Sequence, residues 1–271
     1  MPTESSFFTK GRLSLKEALM RFVGLRPLRK CWGWVLVLLS MQSVNVLIKN
    51  LHVLRNVAID VGKGESIMLI GRNGAGKSST LKSIIGIYPT SSGKIIFDGE
   101  DITNLPPHVR AAMKGIGYSP EDSRVFPDLT VEENILLPTW LTNRKYDGDF
   151  MEIVLNIFPE LKKLLKRKGL FCSGGEKKMV SISRTLALKP KLLLLDEAME
   201  GLAPLVVRRF KEAFKEIENM GISMIMAESN FNVALTFNYR TYVIDRGEII
   251  YNGDVEGIKS NQAVLSVIRG Y

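Results

Sequence analysis

The chain has 271 residues, 45% of them hydrophobic and 24% charged, enough apolar material for one large domain or two lobes and no signature of disorder or collagen. Its net charge of +9 is concentrated at the start, where Lys10, Arg12, Lys16, Arg21, Arg26, Arg29 and Lys30 face only Glu4 and Glu17. The rest is close to balanced, which argues against an extended nucleic-acid surface, and Cys31 and Cys172 are too few and too far apart for a disulfide scaffold or a cysteine metal site.

Residues 1–40 read as a leader of uncertain status. The uncharged run from Cys31 to Met41 is far shorter than the roughly 20 residues a spanning helix needs. With Arg26, Arg29 and Lys30 before it, it imitates a secretory signal. Three readings compete: Met41 as the true initiator, which is preferred, an added helix, and a membrane-surface anchor. From Val44 the pattern predicts strands at Val44 to Ile48, Asn56 to Val61 and Glu65 to Ile70, then a helix from Lys77 to Ile85 and a strand from Lys94 to Phe97. Residues 104–170 change to helical spacing, including a helix from Phe150 to Lys168, and are expected as an insertion. After Gly169 comes strict alternation: helix Gly175 to Leu188, strand Lys191 to Leu195, helix Leu205 to Asn219 and strand Ile222 to Ala227. Strands Thr241 to Ile244 and Glu248 to Tyr251 and a terminal helix close the chain. Leu192 to Leu195 is apolar throughout, as in a strand covered on both faces of a parallel sheet. The expected fold is α/β, with residues 41–271 as one domain.

Gly71-Arg72-Asn73-Gly74-Ala75-Gly76-Lys77-Ser78 has the spacing of a phosphate-binding loop, and it lies between an apolar strand and a helix as such a loop must. Its glycines let successive N–H groups turn inward on phosphate oxygens, and the following helix adds its positive dipole end. Lys77 can reach the β- and γ-phosphates of a nucleotide, the Ser78 hydroxyl can ligate Mg²⁺, and Ser79 completes the turn. Cytosolic ATP is therefore expected, and export of the chain is not.

Asp196 and Glu197 follow the apolar strand Lys191 to Leu195, expected beside the phosphate-loop strand. There Asp196 can hold magnesium and Glu197 can act as general base toward water. Between the loop and this pair lies Cys172-Ser173-Gly174-Gly175-Glu176. Ser173 can cap the next helix, and the N–H groups of Gly174 and Gly175 form a second anion site. One chain thus carries two half-sites, most simply completed by head-to-tail pairing of two copies or homologues.

These three elements, in this order, resemble the nucleotide-binding subunit of ABC transporters over essentially Val44 to Tyr271. Gly71 to Ser79 matches its Walker A motif, Ser173 to Glu176 its signature and Leu192 to Glu197 its Walker B motif. Gly115 to Asp122, Phe126 to Asn134, Phe158-Pro159, Gly201 to Pro204 and Glu228-Ser229-Asn230 look like the second ATPase subunit of branched-chain amino acid importers and their urea or amide relatives. The resemblance implies a Q-loop role at Glu121, coupling ATP to the permease and contacting nucleotide and metal. It implies a γ-phosphate switch at Ser229, where histidine or glutamine is usual, and a D-loop position at Ala203. The aromatic residue that usually stacks on adenine is missing near Leu51 to Asn56; His52 reads as a surface or packing residue, with a weaker adenine platform as the alternative. It further implies transmembrane permease subunits as partners, an extracytoplasmic solute-binding protein acting indirectly, and a peripheral place on the cytoplasmic face of the membrane. The rival functions are a soluble ATPase acting on nucleic acid or ribosomes, and a weakly hydrolysing regulatory cassette.

Overall fold

The computed structural model describes residues 27–30, 33–142 and 148–270; most of the basic leader lies outside them. Two sheets form the molecule. The first contains β1 (Pro27–Lys30), β2 (Gly33–Ile48), β3 (Leu51–Gly62), β5 (Ser92–Phe97) and β6 (Glu100–Asp101), with every pairing antiparallel. The second runs in the order β11 (Glu248–Gly253), β10 (Arg240–Asp245), β4 (Ser66–Ile70), β9 (Ser223–Glu228), β8 (Leu192–Asp196), β7 (Ile116–Ser119). It is parallel except at the β10–β11 hairpin.

The continuous apolar runs of the central strands have the predicted consequence: each face of the second sheet has its own core. Met68, Ile70, Leu193, Leu195, Met224 and Met226 pack toward one face. There they meet α4 (Gly174–Leu186), α5 (Pro204–Asn219) and α6 (Phe231–Phe237). Ile67, Leu69, Leu192, Leu194, Ile225 and Ala227 face the other way, toward the first sheet and α1 (Lys77–Ile85). The period of two along each strand sorts these residues.

Two sequence expectations change. The boundary between leader and domain, placed after residue 40, falls inside β2. Leu39 pairs with Val61 and Phe97, and Ser40 with Asp60 and Ile96. Leu38 and Leu39 are buried with Met41 in the same core as α1. The helical insertion also begins later than residue 104. Ile116 to Ser119 forms β7, an edge strand of the central sheet hydrogen-bonded along β8. Its four residues include Gly117 and Ser119, too few apolar positions to register as a strand in the sequence. The helices proper are α2 (Val131–Leu141) and α3 (Gly148–Ile157). Helix α3 stops before Pro159, which starts a short 3₁₀ turn instead of continuing to Lys168. Proline after Phe158 removes a backbone donor and disfavours helix in the residue before it. Two short helices, α7 (Val255–Ser260) and α8 (Gln262–Arg269), end the chain.

Candidate active site

The loop after β4 closes as the glycines demand. Gly74 and Gly76 take φ values of +81° and +114°, which side chains strongly disfavour. Gly71 is required for another reason: a Cβ there would lie 2.4 Å from the Ile244 carbonyl oxygen. Outside contacts fix the loop as well. The Gly247 N–H donates to the Ala75 carbonyl at 2.8 Å, and the Gly71 N–H to the Glu228 carbonyl at 3.4 Å. Asn73, Gly74, Gly76, Lys77, Ser78 and Ser79 then line a cavity of about 320 Å³ together with Glu121 and Glu197.

Lys77 is buried at the start of α1. Its ammonium donates to the carbonyls of Gly71 at 2.9 Å and Arg72 at 3.2 Å, and pairs with Glu197 Oε1 at 3.1 Å. The Ser78 hydroxyl donates to Asp196 Oδ1 at 2.9 Å. Asp196 and Glu197 thus face the phosphate loop as expected, although their strand is not its neighbour. β9 lies between β4 and β8. The two strand ends are bridged instead by the first turn of α1, which carries Lys77 and Ser78 across the gap. Ser229, just past the end of β9, donates to Glu197 Oε2 at 3.4 Å.

Burial raises the Asp196 carboxyl above its ordinary range, opposed by hydrogen bonds from Ser78 and Tyr118. Tyr118 is a residue that sequence reasoning missed. Its hydroxyl donates to Asp196 Oδ2 at 3.0 Å, so both aspartate oxygens have fixed donors. Its place in the Gly115 to Asp122 resemblance gave it no role, because its partner lies 78 positions away and Tyr118 itself sits on a strand that the pattern did not reveal. Glu121 contributes from beyond β7: its carboxylate groups with those of Glu197 and Glu200, with one oxygen of each lying within 4.8 Å of the others. Its hydrogen-bonded neighbourhood therefore differs from the Ser78–Asp196 pair, although it lines the same cavity.

Glu197 itself sits at φ +48°, a left-handed conformation that costs a residue with a side chain about 1 to 3 kcal/mol. Surrounding groups hold it there. Its N–H donates to the Ala227 carbonyl at 2.9 Å, and its carbonyl accepts from Lys178 Nζ at 2.7 Å. Glu228, a second missed residue, accepts the Met199 N–H at 3.0 Å on Oε1. Burial pushes its carboxyl up to about 8, with Glu197 adding to the effect and the Met199 hydrogen bond opposing it. The folded chain therefore keeps a proton that the unfolded chain releases near the ordinary glutamic acid value of about 4.3. The contribution of this group to stability falls as pH rises between those two values. Glu228→Gln retains an oxygen for Met199 and cannot titrate. Its urea midpoint, relative to the parent's, is expected to rise progressively between about pH 5 and pH 8; a difference independent of pH contradicts this assignment.

The signature segment faces elsewhere. Ser173 caps α4 through a reciprocal pair: its N–H donates to Glu176 Oε2 at 2.7 Å and its Oγ accepts from the Glu176 N–H at 3.4 Å. Ser173 and Gly174 are exposed, nothing lies within 4 Å of a Cβ built on Gly174, and neither these residues nor Gly175 lines the phosphate-loop cavity. The loop, Lys77, Ser78, Asp196, Glu197, Ser229 and Glu121 come together in one chain; Ser173, Gly174 and Gly175 do not join them. β2 turns into β3 at Lys49-Asn50, leaving Leu47 and Leu51 exposed, and His52 is occupied by Asn45 Oδ1 at 3.0 Å.

The family description "ABC transporter" matches residues 54–200. This chain belongs to the ABC transporter family. Among relatives, the cassette is 36% identical to the high-affinity branched-chain amino acid transport ATP-binding protein BraG of Pseudomonas aeruginosa, over 86% of this chain and 100% of that one. It is 34% identical to the probable branched-chain amino acid transport ATP-binding protein LivF of Archaeoglobus fulgidus, over 86% and 99%. The lipopolysaccharide export system ATP-binding protein LptB of Haemophilus influenzae is 32% identical, over 86% and 97%. A solved ATP-binding cassette of an ABC transporter in its ADP conformation superposes with a TM-score of 0.74 at 26% identity, over 87% of this chain and 99% of that one. The cassette is an ATP-binding, ATP-hydrolysing subunit, and no helix among its described residues is long and apolar enough to cross a membrane.

Proposed function

We propose that this cassette energises a membrane importer of branched-chain amino acids or similar small polar solutes, working in a head-to-tail pair with a second ABC ATPase subunit. One observation carries the pairing. Lys77, Ser78 and Glu197 line a single cavity, while Ser173 to Gly175, at the start of α4, lie outside that lining with Ser173 and Gly174 exposed. A second chain in reversed orientation brings its serine–glycine helix start onto the γ-phosphate held here, and receives the same in return.

The contacts of Lys77 bear on how ATP starts the cycle. Lys77 is folded onto Glu197 and the loop carbonyls. When the β- and γ-phosphates enter, they compete for the ammonium, and Lys77 swings from Glu197 to them. Glu197 is then free to accept a proton from water as it attacks the γ-phosphorus and the bond from that phosphorus to the bridging oxygen breaks, with ADP leaving and phosphate released. Ser229 keeps a hydroxyl on that carboxylate and can register the γ-phosphate by hydrogen bonding. The Ser78 and Asp196 oxygens are a hard donor pair suited to Mg²⁺, with Glu121 at the cavity wall. Magnesium held there would neutralise phosphate charge.

The chain would bind permease subunits at the cytoplasmic face of the membrane, with a solute-binding protein acting on the far side. The cargo reading draws on the BraG and LivF relatives, and the LptB relative supplies its competitor. Uptake of radiolabelled leucine, measured in cells whose only copy of this gene carries Lys77→Ala, tests it. Loss of uptake supports the importer. Undiminished uptake with impaired lipid export to the outer leaflet favours the alternative.

A further inference from the structure

Glu197 holds its carboxylate at the phosphate loop from a left-handed backbone, and that backbone is fixed on both sides. Its N–H is tied to β9 through Ala227 at 2.9 Å. Its carbonyl is gripped by Lys178 Nζ at 2.7 Å. Lys178 belongs to α4, the helix that begins at the capped Ser173, so a side chain of the signature helix holds the Glu197 main chain.

We propose that Lys178 is a positioning residue for hydrolysis: its ammonium keeps the strained Glu197 peptide in place and makes the placement of the general base depend on where α4 sits. This rests on the paired-cassette reading above. Under that reading the start of α4 serves the partner's nucleotide, while Lys178, further along the same rigid helix, serves the chain's own. Closure on one site is thereby transmitted to the base of the other.

The surroundings suit the role. Lys178 is half-buried; burial lowers its pKa, opposed by the charges of Glu228, Glu200, Glu197 and Glu121. The carboxylates of Glu200, Glu197 and Glu121 favour an ammonium at this position, and its hydrogen bond goes to the Glu197 carbonyl. That carbonyl has a second, longer donor in the Glu200 N–H at 3.2 Å. Removing Lys178 does not leave it unsatisfied, so a variant can fold while losing the grip.

The test is steady-state ATP hydrolysis by the 271-residue chain as Lys178→Met and Lys178→Arg, with kcat and KM separated. Loss of one charge-assisted hydrogen bond acting on the base predicts a kcat about tenfold lower in the methionine variant, with KM for ATP changed by less than about twofold. Arginine, which keeps the cation, should recover most of the loss. The Hill coefficient for ATP should fall toward one in Lys178→Met. An unchanged kcat, an arginine variant as slow as the methionine one, or a rise in KM alone overturns the proposal. Glu197→Gln and Glu197→Gln/Lys178→Met are compared by gel filtration with ATP. A dimer in both supports the assignment of Lys178 to hydrolysis rather than closure, and a dimer lost only in the double variant overturns it. A monomer in both rejects the paired reading and the coupling with it, whereas the kcat comparison, made in each chain's own site, still decides the positioning claim.

Discussion

Replacing Lys77 by alanine is expected to reduce ATP hydrolysis at least about a hundredfold, the scale on which a transition-state charge stabiliser is lost. It should also weaken ATP binding by about tenfold or more, because charge-assisted hydrogen bonds to phosphate oxygens go with the side chain. Fluorescent nucleotide titration and steady-state turnover measure the two separately. The buried position of Lys77 adds a consequence that an exposed lysine would not have. Its ammonium neutralises Glu197, and both side chains are nearly inaccessible, at 3% and 7%. Removing one partner of a buried pair leaves the other uncompensated and typically destabilises by about 3–5 kcal/mol. Lys178, close to the same carboxylate, should hold the loss to the lower end of that range. Lys77→Ala should therefore melt below the parent even in ATP-free buffer. Adding Glu197→Gln to it should restore much of the loss while leaving hydrolysis absent. A Lys77→Ala chain that binds ATP normally rejects the role given to the loop. One that melts with the parent rejects only the energetic weight given to the ion pair.

The parts of this site that could be read in advance are those written in consecutive residues. Gly71 to Ser79 encodes its own geometry, because the glycine positions dictate where the backbone must curl. Leu192 to Glu197 likewise announces a strand buried on both faces with acids at its end. Strand order is a different kind of information. Nothing in the periodicity of Ser223 to Glu228 says that it lies between the other two strands, since all three are equally apolar. The contact between Ser78 and Asp196 survived that error because α1 spans the gap. The roles of Tyr118, Lys178 and Glu228 went unassigned for a related reason. Each acts through a partner distant in sequence, on Asp196, Glu197 and Met199 respectively, and a lone tyrosine, lysine or glutamate carries no spacing to announce it. The domain start was misplaced because an apolar strand at the sheet's beginning, cut off from the basic leader by no turn signal, looks like part of that leader.

Glu197→Gln is expected to separate binding from hydrolysis most cleanly. Glutamine matches glutamate in size and tolerates the φ of +48° no worse, so the local backbone should stand. The Ser229 hydroxyl keeps an oxygen to meet, and Lys178 keeps the same carbonyl. What disappears is the basicity. Removing a general base typically costs about 10²- to 10⁴-fold, and the lower half of that range would already bring turnover below most detection limits for a slow ATPase. The same change releases Lys77. In the parent, ATP must draw the ammonium away from a buried carboxylate at 3.1 Å; in the variant that competitor is neutral. ATP affinity should therefore rise rather than merely persist, the opposite of Lys77→Ala at the same contact. With binding strengthened and hydrolysis blocked, the ATP-bound pair should accumulate and elute as a dimer with ATP and a monomer with ADP. Glu197→Gln that remains monomeric at saturating ATP counts against the head-to-tail pair. Glu197→Gln that hydrolyses ATP at the parent's rate moves the general base to another residue, with Glu200 and Glu121 the neighbouring carboxylates to examine.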